Sequence, residues 1–494
     1  MQRRQRLPFV STYTWLLCGL VLTIGCQSDP EESPALTREE LLNPESCKDC
    51  HPKYYREWSS SMHAYAMTDP VFIAMNRRGQ EETNGTLGPF CVQCHAPMAV
   101  REGAIKDFAD LSQVPKHLQG VTCYFCHNAV DVGPDHFNAN IKLANDTIMR
   151  ANLRNPVQPT AHGVQRSEFH NAGSMKSSEL CGTCHDVVVP SGVHLERTFS
   201  EYRKSLVAQP DLDFQSCQSC HMDSTFEPEQ VAVSTGREGQ LVPRRDAHEH
   251  LWAAVDVPLT DGFPNAAAMR SAVEACELEN SISYFNAEMT SPITLSVQLE
   301  TNAGHNQPSG VAHDRRLWLE IRGYDANGKE VYTEGVIADG QVEEPPGQSH
   351  PFMMRERIRN AKGEEVHMFW EAMPQAVPNP ADSLLLPPST LANLNGNPRH
   401  TLERSFRVSS VPLPVRYVMQ LRMRPMGIDV LLDLVKSGHL DPAVVARMPT
   451  LTVTTREFRA VPNSTELLQI SRSEADCSTY RCMLNPQARE CSER

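Results

Sequence analysis

The sequence predicts an α+β chain in two parts, a mainly helical and loop-rich region followed by an antiparallel β-sandwich. Three features predict it. Five Cys-x-x-Cys-His motifs crowd into residues 47–221, which leaves too little chain around each for a conventional core. From about residue 285 to 460, apolar and polar residues alternate with the period of half-buried strands. Near Pro258 one texture gives way to the other.

The motifs carry the chemistry. They are Cys47-Lys-Asp-Cys50-His51, Cys91-Val-Gln-Cys94-His95, Cys123-Tyr-Phe-Cys126-His127, Cys181-Gly-Thr-Cys184-His185 and Cys217-Gln-Ser-Cys220-His221. With 16 Cys and 19 His in 494 residues, chance supplies such a match roughly 0.02 times. In this pattern two thiols add across the haem vinyl groups and the histidine becomes an axial iron ligand. Zinc half-sites would have to pair into fours, and five cannot. No Cys-x-x-Cys-x-x-Cys run supports an iron–sulfur cluster. The motifs therefore predict five covalently attached haem c groups.

At the N-terminus, Arg3, Arg4 and Arg6 precede the short apolar run Trp15 to Ile24. About ten apolar residues cannot span a bilayer, which needs roughly 20; the run reads as an export signal. Its end, Leu22-Thr23-Ile24-Gly25-Cys26, resembles the lipobox of bacterial lipoproteins, with Thr23 where leucine is usual. Residues 1–26 are expected to be a lipoprotein-type signal, with Cys26 lipidated. Residues 27–45, acidic and proline-bearing, read as a flexible tether.

Residues 46–258 form the expected haem domain, of short helices and long loops, with the porphyrins supplying much of the apolar interior. Each iron needs a second axial ligand or keeps an open position. His63 follows His51 by 12 residues; on one helix the two rings would stand about 18 Å apart, so His63 is expected to serve a different iron. His162, His170 and His250 are the other strong candidates; His117, His136, His194 and His248 are weaker. Four strong candidates leave one iron over. His305, in a Gly-His-x-x-Pro turn fixed by its glycine and proline, either reaches across to that iron or faces solvent.

The segment Cys47–His63, with its Cys-x-x-Cys-His, Tyr54, Trp58 and His63, resembles the multihaem cytochromes of the nitrifier type. These comprise the tetrahaem carrier that takes electrons from hydroxylamine oxidoreductase, and the oxidoreductase itself. Asp69-Pro70-Val71-Phe72, Gly120-Val121-Thr122, Ser178-Glu179-Leu180 before the fourth motif, and Leu195-Glu196-Arg197-Thr198-Phe199 are similar too. The resemblance spans residues 45–258. It implies bis-histidine, low-potential haems stacked in pairs, with His63, His162, His170 and His250 as distal ligands.

Residues 259–284 are expected to connect the two parts. Beyond them, Ile293–Glu300, Leu317–Arg322, Val415–Arg422 and Leu451–Thr454 alternate apolar with polar residues, and Asn327-Gly328 marks a hairpin turn. A helix is expected over Ile428–Ser437, ending at Gly438. The β-sandwich is placed at 285–460. It resembles a domain accompanying such cytochromes, through Ala303–Gly310 (with Ser309 where threonine is usual) and Asp314–Leu319. No aromatic cluster supports sugar binding there.

The tail, 461–494, carries Cys477, Cys482 and Cys491. With Cys276 they allow two disulfides in three connectivities, one of them local to the tail. The net charge of −14 falls to about −17 when Arg3, Arg4 and Arg6 leave with the signal. Charge and compartment exclude nucleic acid and favour redox partner proteins with basic docking surfaces. The expected location is periplasmic or cell-envelope, in a bacterium. An electron carrier is favoured over the alternative, an oxidoreductase acting on a small nitrogen or sulfur compound at an open haem site, and no catalytic residue is assigned.

Overall fold

The computed structural model describes residues 35–152, 161–222, 248–345, 350–377, 379–392, 400–484, 486 and 491. The signal, Cys26 and most of the tether lie outside the described residues. No helix among the described residues is long and apolar enough to cross a membrane.

The first half is short helices joined by loops, as expected, and adds three two-stranded sheets: Ala129–Val132 with Ile141–Leu143, Ile148–Ala151 with Gly163–Arg166, and Val187–Val188 with His194–Glu196. It contains α1 (Pro52–Ser59), α2 (Met62–Tyr65), α3 (Pro70–Glu82), α4 (Val92–His95), α5 (Cys123–His127), α6 (Met175–Gly182) and α7 (Cys217–His221). Their starts are capped by side chains that satisfy free N–H groups: Ser61 for α2, Asp69 ahead of Pro70 for α3, Ser174 for α6 and Ser216 for α7. The run Tyr54–His63 is not one helix. It breaks at Ser60-Ser61, where Ser61 caps the next turn, and His63 swings out of line with His51. Gly120 (φ +71°) crosses the carbonyls of His63 and Ala64 so closely that a Cβ would stand 2.7 Å from both. The close crossing lets Val121 N–H donate to His63 O at 2.8 Å, and Trp58 Nε1 donate to Val121 O at 2.7 Å.

The second half is dominated by antiparallel sheets, so the chain is of mixed α+β class. Helix α8 (Ala266–Ser271) runs into a π-helical turn, Ala272–Leu278. The strands that follow are β1 (Ile282–Ser291), β2 (Thr294–Thr301), β3 (Arg316–Tyr324), β4 (Glu330–Glu334), β5 (Met353–Glu356), β6 (Ser383–Leu384), β7 (Leu402–Arg407), β8 (Arg416–Arg424), β9 (Leu451–Ala460) and β10 (Leu467–Arg472). One sheet runs β6-β5-β3-β8-β9-β10 with β4 also on β3; the other runs β7-β2-β1. Asn327-Gly328 does turn β3 into β4, with Gly328 at φ +79°. The inward residues of both sheets, such as Leu295, Val297, Leu319, Met419 and Phe458, meet in one apolar cluster.

Three features differ from expectation. Residues 259–284 are more than a connector: Met269, Ala272 and Val273 are fully buried in the main core. The tail carries β10 and a further helix, Ser478–Leu484, fastened by the disulfides Cys276–Cys477 and Cys482–Cys491. On β3 the expected wet face is buried as well. The helix α9 (Ile428–Lys436) covers that face. Arg316 pairs with its Asp429 through two contacts of 2.8 Å, and beside it Arg424 pairs with Glu343 at 2.6 Å, with both side chains fully buried. Helix α9 also packs Ile428 and Leu431 against Val71 and Ala74 of α3, which ties the sheets to the motif-bearing half.

Candidate haem centre

All five motifs line one continuous cavity of about 1820 Å³, well beyond the roughly 300–1,000 Å³ of a pocket for one small ligand. Each motif makes about one helical turn, with His51 N–H donating to Cys47 O (2.7 Å) and His185 N–H to Cys181 O (3.0 Å). Spacings of i, i+3 and i+4 put both thiols and the imidazole on one face of that turn. In the fourth motif Gly182 is required by packing, because a Cβ there would stand 2.4 Å from the Phe199 ring. The four other described cysteines pair as disulfides, whereas all ten motif cysteines are free thiols. Disulfides form in an oxidising compartment, and the contrast fits thiols committed to haem attachment instead.

The histidines decide how iron fits. An iron held by two imidazoles, at roughly 2.0–2.1 Å per metal–nitrogen bond and about 1.1 Å from nitrogen to ring centre, sets the ring centres about 6.3 Å apart. Four motif histidines face a second imidazole at that spacing. His51 stands 6.4 Å from His162, His127 6.2 Å from His250, His185 6.3 Å from His63, and His221 6.4 Å from His305. Ring orientation agrees, since a histidine whose Nδ1 is engaged presents Nε2 to the metal. Nδ1 of His127 faces Arg150 O (2.6 Å), of His221 Ala253 O (3.3 Å), of His162 Gly163 O (2.9 Å), of His250 His248 O (2.9 Å) and of His305 Asn306 O (3.0 Å). His185 Nδ1 instead faces the carboxylate of Glu196 at 3.3 Å.

His95 and His170 stand apart. His95 directs Nδ1 to Ala66 O (3.0 Å) and stacks on Phe72 (4.1 Å between ring centres). No second imidazole stands at the iron-spanning distance from it among the described residues, which include every histidine of the chain. His170 lies 4.9 Å from His127, nearly parallel and too close for an iron between them. Its orientation is reversed: Nε2 faces Cys126 O at 3.1 Å, while Nδ1 is buried without a partner.

The framework holds the distal rings from several directions. Glu57, buried on α1, accepts the backbone N–H of His250 at 3.0 Å. The His305 loop is tied to the first half by Asn306 Nδ2 donating to Glu201 (2.7 Å) and by Thr198 and Ser309 hydroxyls 2.8 Å apart. Burial favours the neutral imidazole that a metal requires. It holds His51 and His305 down at about 4, and His63, His170 and His250 at about 3. At His185 burial acts the same way, but Glu196 outweighs it and the ring sits at about 9.

Neighbouring motifs touch. The thiols of Cys47 and Cys123 adjoin, as do Cys94 with Cys184 and Cys181 with Cys217. Trp252 bridges the third and fourth centres, 4.7 Å from His63 and 5.2 Å from His250. The fourth motif thus adjoins the second, third and fifth. Sequence reasoning gave no role to Trp252 and quoted Glu196 only within a similar run; nothing local in the sequence marks which side chain will face an imidazole.

Residues 46–128 match the family described as cytochrome c554 and c-prime. No curated protein matches the chain. Among solved structures, a penta-haem cytochrome c552 from Thermochromatium tepidum has a similar fold, with a TM-score of 0.56 at 17% identity, covering 86% of this chain and 100% of that one. Residues 46–128 thus resemble that family, the penta-haem cytochrome shares the fold, and five Cys-x-x-Cys-His motifs around one cavity are the pattern that covalent attachment of haem c requires.

Proposed function

We propose that the chain is an exported pentahaem electron carrier working between redox partners outside the cytoplasmic membrane. The observation that carries this reading is the set of four imidazole pairs, 6.2–6.4 Å between ring centres, on four of the five motifs. Haem c, when bound, supplies an iron that takes up and releases one electron. The ten motif cysteines would hold the haems, and His51, His95, His127, His185 and His221 would supply one iron ligand each. His162, His250, His63 and His305 would supply the second iron ligand on all but the second centre, which would keep substrates off those four. The touching motifs make a branched route: first to third, third to fourth through Trp252, and fourth to both second and fifth. The two sheets, read as a sandwich, clamp the His305 loop and brace the fifth centre.

A second reading has its own observation. His95 lacks a partner imidazole, so its iron would keep an open position able to take a small nitrogen or sulfur compound. To decide between the readings, the haem-loaded protein is reduced and mixed with a basic acceptor protein, then separately with hydroxylamine, nitrite and sulfite. A carrier is reoxidised by the protein, more slowly as salt rises, and leaves the small molecules unconsumed. Steady consumption of any of them overturns the carrier reading. The lipid anchor is part of the proposal: Cys26→Ser should release the protein from the membrane fraction, and its retention there in high salt would remove that part.

A further inference from the structure

Among the motif histidines, the groups that accept the Nδ1 proton fall into three kinds. His95, His127 and His221 have a neutral backbone carbonyl. His51 has no partner for its buried Nδ1. His185 alone has a carboxylate, Glu196. The arrangement is built into the fold. After the fourth motif the chain doubles back through a two-stranded pair, with Val187 opposite Glu196, and returns the carboxylate to the ring it has just left. The Glu196 side chain is only 11% exposed. Its Oε1 also lies 3.5 Å from Thr198 Oγ1, which is itself held by Ser309 and by the Gly310 N–H.

We propose that Glu196 is a positioning residue that gives the iron held by His185 the lowest reduction potential of the set. The proposal rests on the reading above that His185 and His63 are the axial pair of the fourth centre. A carboxylate accepting the Nδ1 proton draws positive charge out of the imidazole and makes Nε2 a stronger donor, which stabilises the oxidised iron over the reduced one. A neutral carbonyl does so less, and an unpartnered N–H least. Burial of the carboxylate strengthens the effect, because little water screens Glu196 itself. The fourth centre adjoins three others, so an electron resting at the branch point is disfavoured and is handed on to a neighbour.

The test uses the full-length haem-loaded protein. Glu196→Gln keeps the side-chain shape and an acceptor oxygen but removes the charge. In a spectroelectrochemical titration its lowest midpoint should rise while the other four stay in place, with the low-spin signal and carbon monoxide stoichiometry unchanged. Glu196→Asp should restore part of the shift. Five unmoved midpoints, or movement of a different one, overturn the proposal. If the Gln variant fails to assemble its haems, Thr198→Val removes the hydroxyl sharing Glu196 Oε1, and the lowest midpoint should fall; an unmoved midpoint again overturns it. His63→Ala tests the underlying reading separately. It should give one new high-spin haem, and its absence removes the axial assignment rather than the role of Glu196.

Discussion

Removing the His305 imidazole should change the protein at one centre and nowhere else. The ring lies 6.4 Å from His221, nearly parallel to it, half-buried where it lines the cavity. In His305→Ala the iron on His221 keeps its motif ligand and loses the second one. The loop should survive the change, because Asn306 and Ser309 carry its contacts with Glu201 and Thr198, at 2.7 and 2.8 Å. The size of the effect follows from counting partners. His95 alone lacks a facing imidazole, so the reduced parent should bind one equivalent of carbon monoxide per chain. His305→Ala should bind two and gain a high-spin signal of one further haem. His250→Ala should likewise give two, whereas His170→Ala should stay at one, because His170 turns its Nε2 to Cys126 O. Carbon monoxide titration of the dithionite-reduced protein measures all three variants. A His305→Ala protein that still binds one equivalent, with five haems attached, refutes the reasoning, and an added equivalent in His170→Ala refutes the pairing of His127 with His250.

Two further predictions concern stability. Cys276–Cys477 closes 201 residues and Cys482–Cys491 closes 9, so chain entropy assigns them roughly 5 and roughly 3 kcal/mol. Replacing both cysteines of the longer bridge by serine should lower the denaturant midpoint more than doing so for the shorter; equal or reversed losses would show that the entropic argument fails here. His367 is the other case. The Asp429 carboxylate 3.6 Å from Nε2, with the hydrogen bond from Nδ1 to Asp433 at 3.2 Å, raises its pKa, so its contribution is complete below its unfolded value of about 6.5 and is lost as pH rises through the higher folded value. His367→Ala should therefore lower the melting temperature at about pH 5.5, by an amount matching under about 1 kcal/mol, and leave it nearly unchanged at about pH 9. An equal loss at both pH values would point to packing instead of charge.

The sequence by itself determined the chemistry that lies in short spans. Cysteine spacing and the abutting histidine specify haem attachment because one helical turn puts all three side chains on one face. The turn at Asn327-Gly328 and the helix after Gly427 were legible for the same reason, since backbone preference and apolar period are local. Strand β10 was not legible: its residues face solvent, Leu468 at 51% exposure and Ile470 at 43%, and no buried face imposes an alternation. Nor was the burial of Arg316 on β3, because it depends on α9 arriving from more than 100 residues away with Asp429. The axial pairs lie furthest from the sequence. His63 meets His185, and His221 meets His305, across 122 and 84 residues. An imidazole carries no mark of its partner, so only the packed chain decides which two face each other, which ring turns the wrong nitrogen inward, and that His95 faces none.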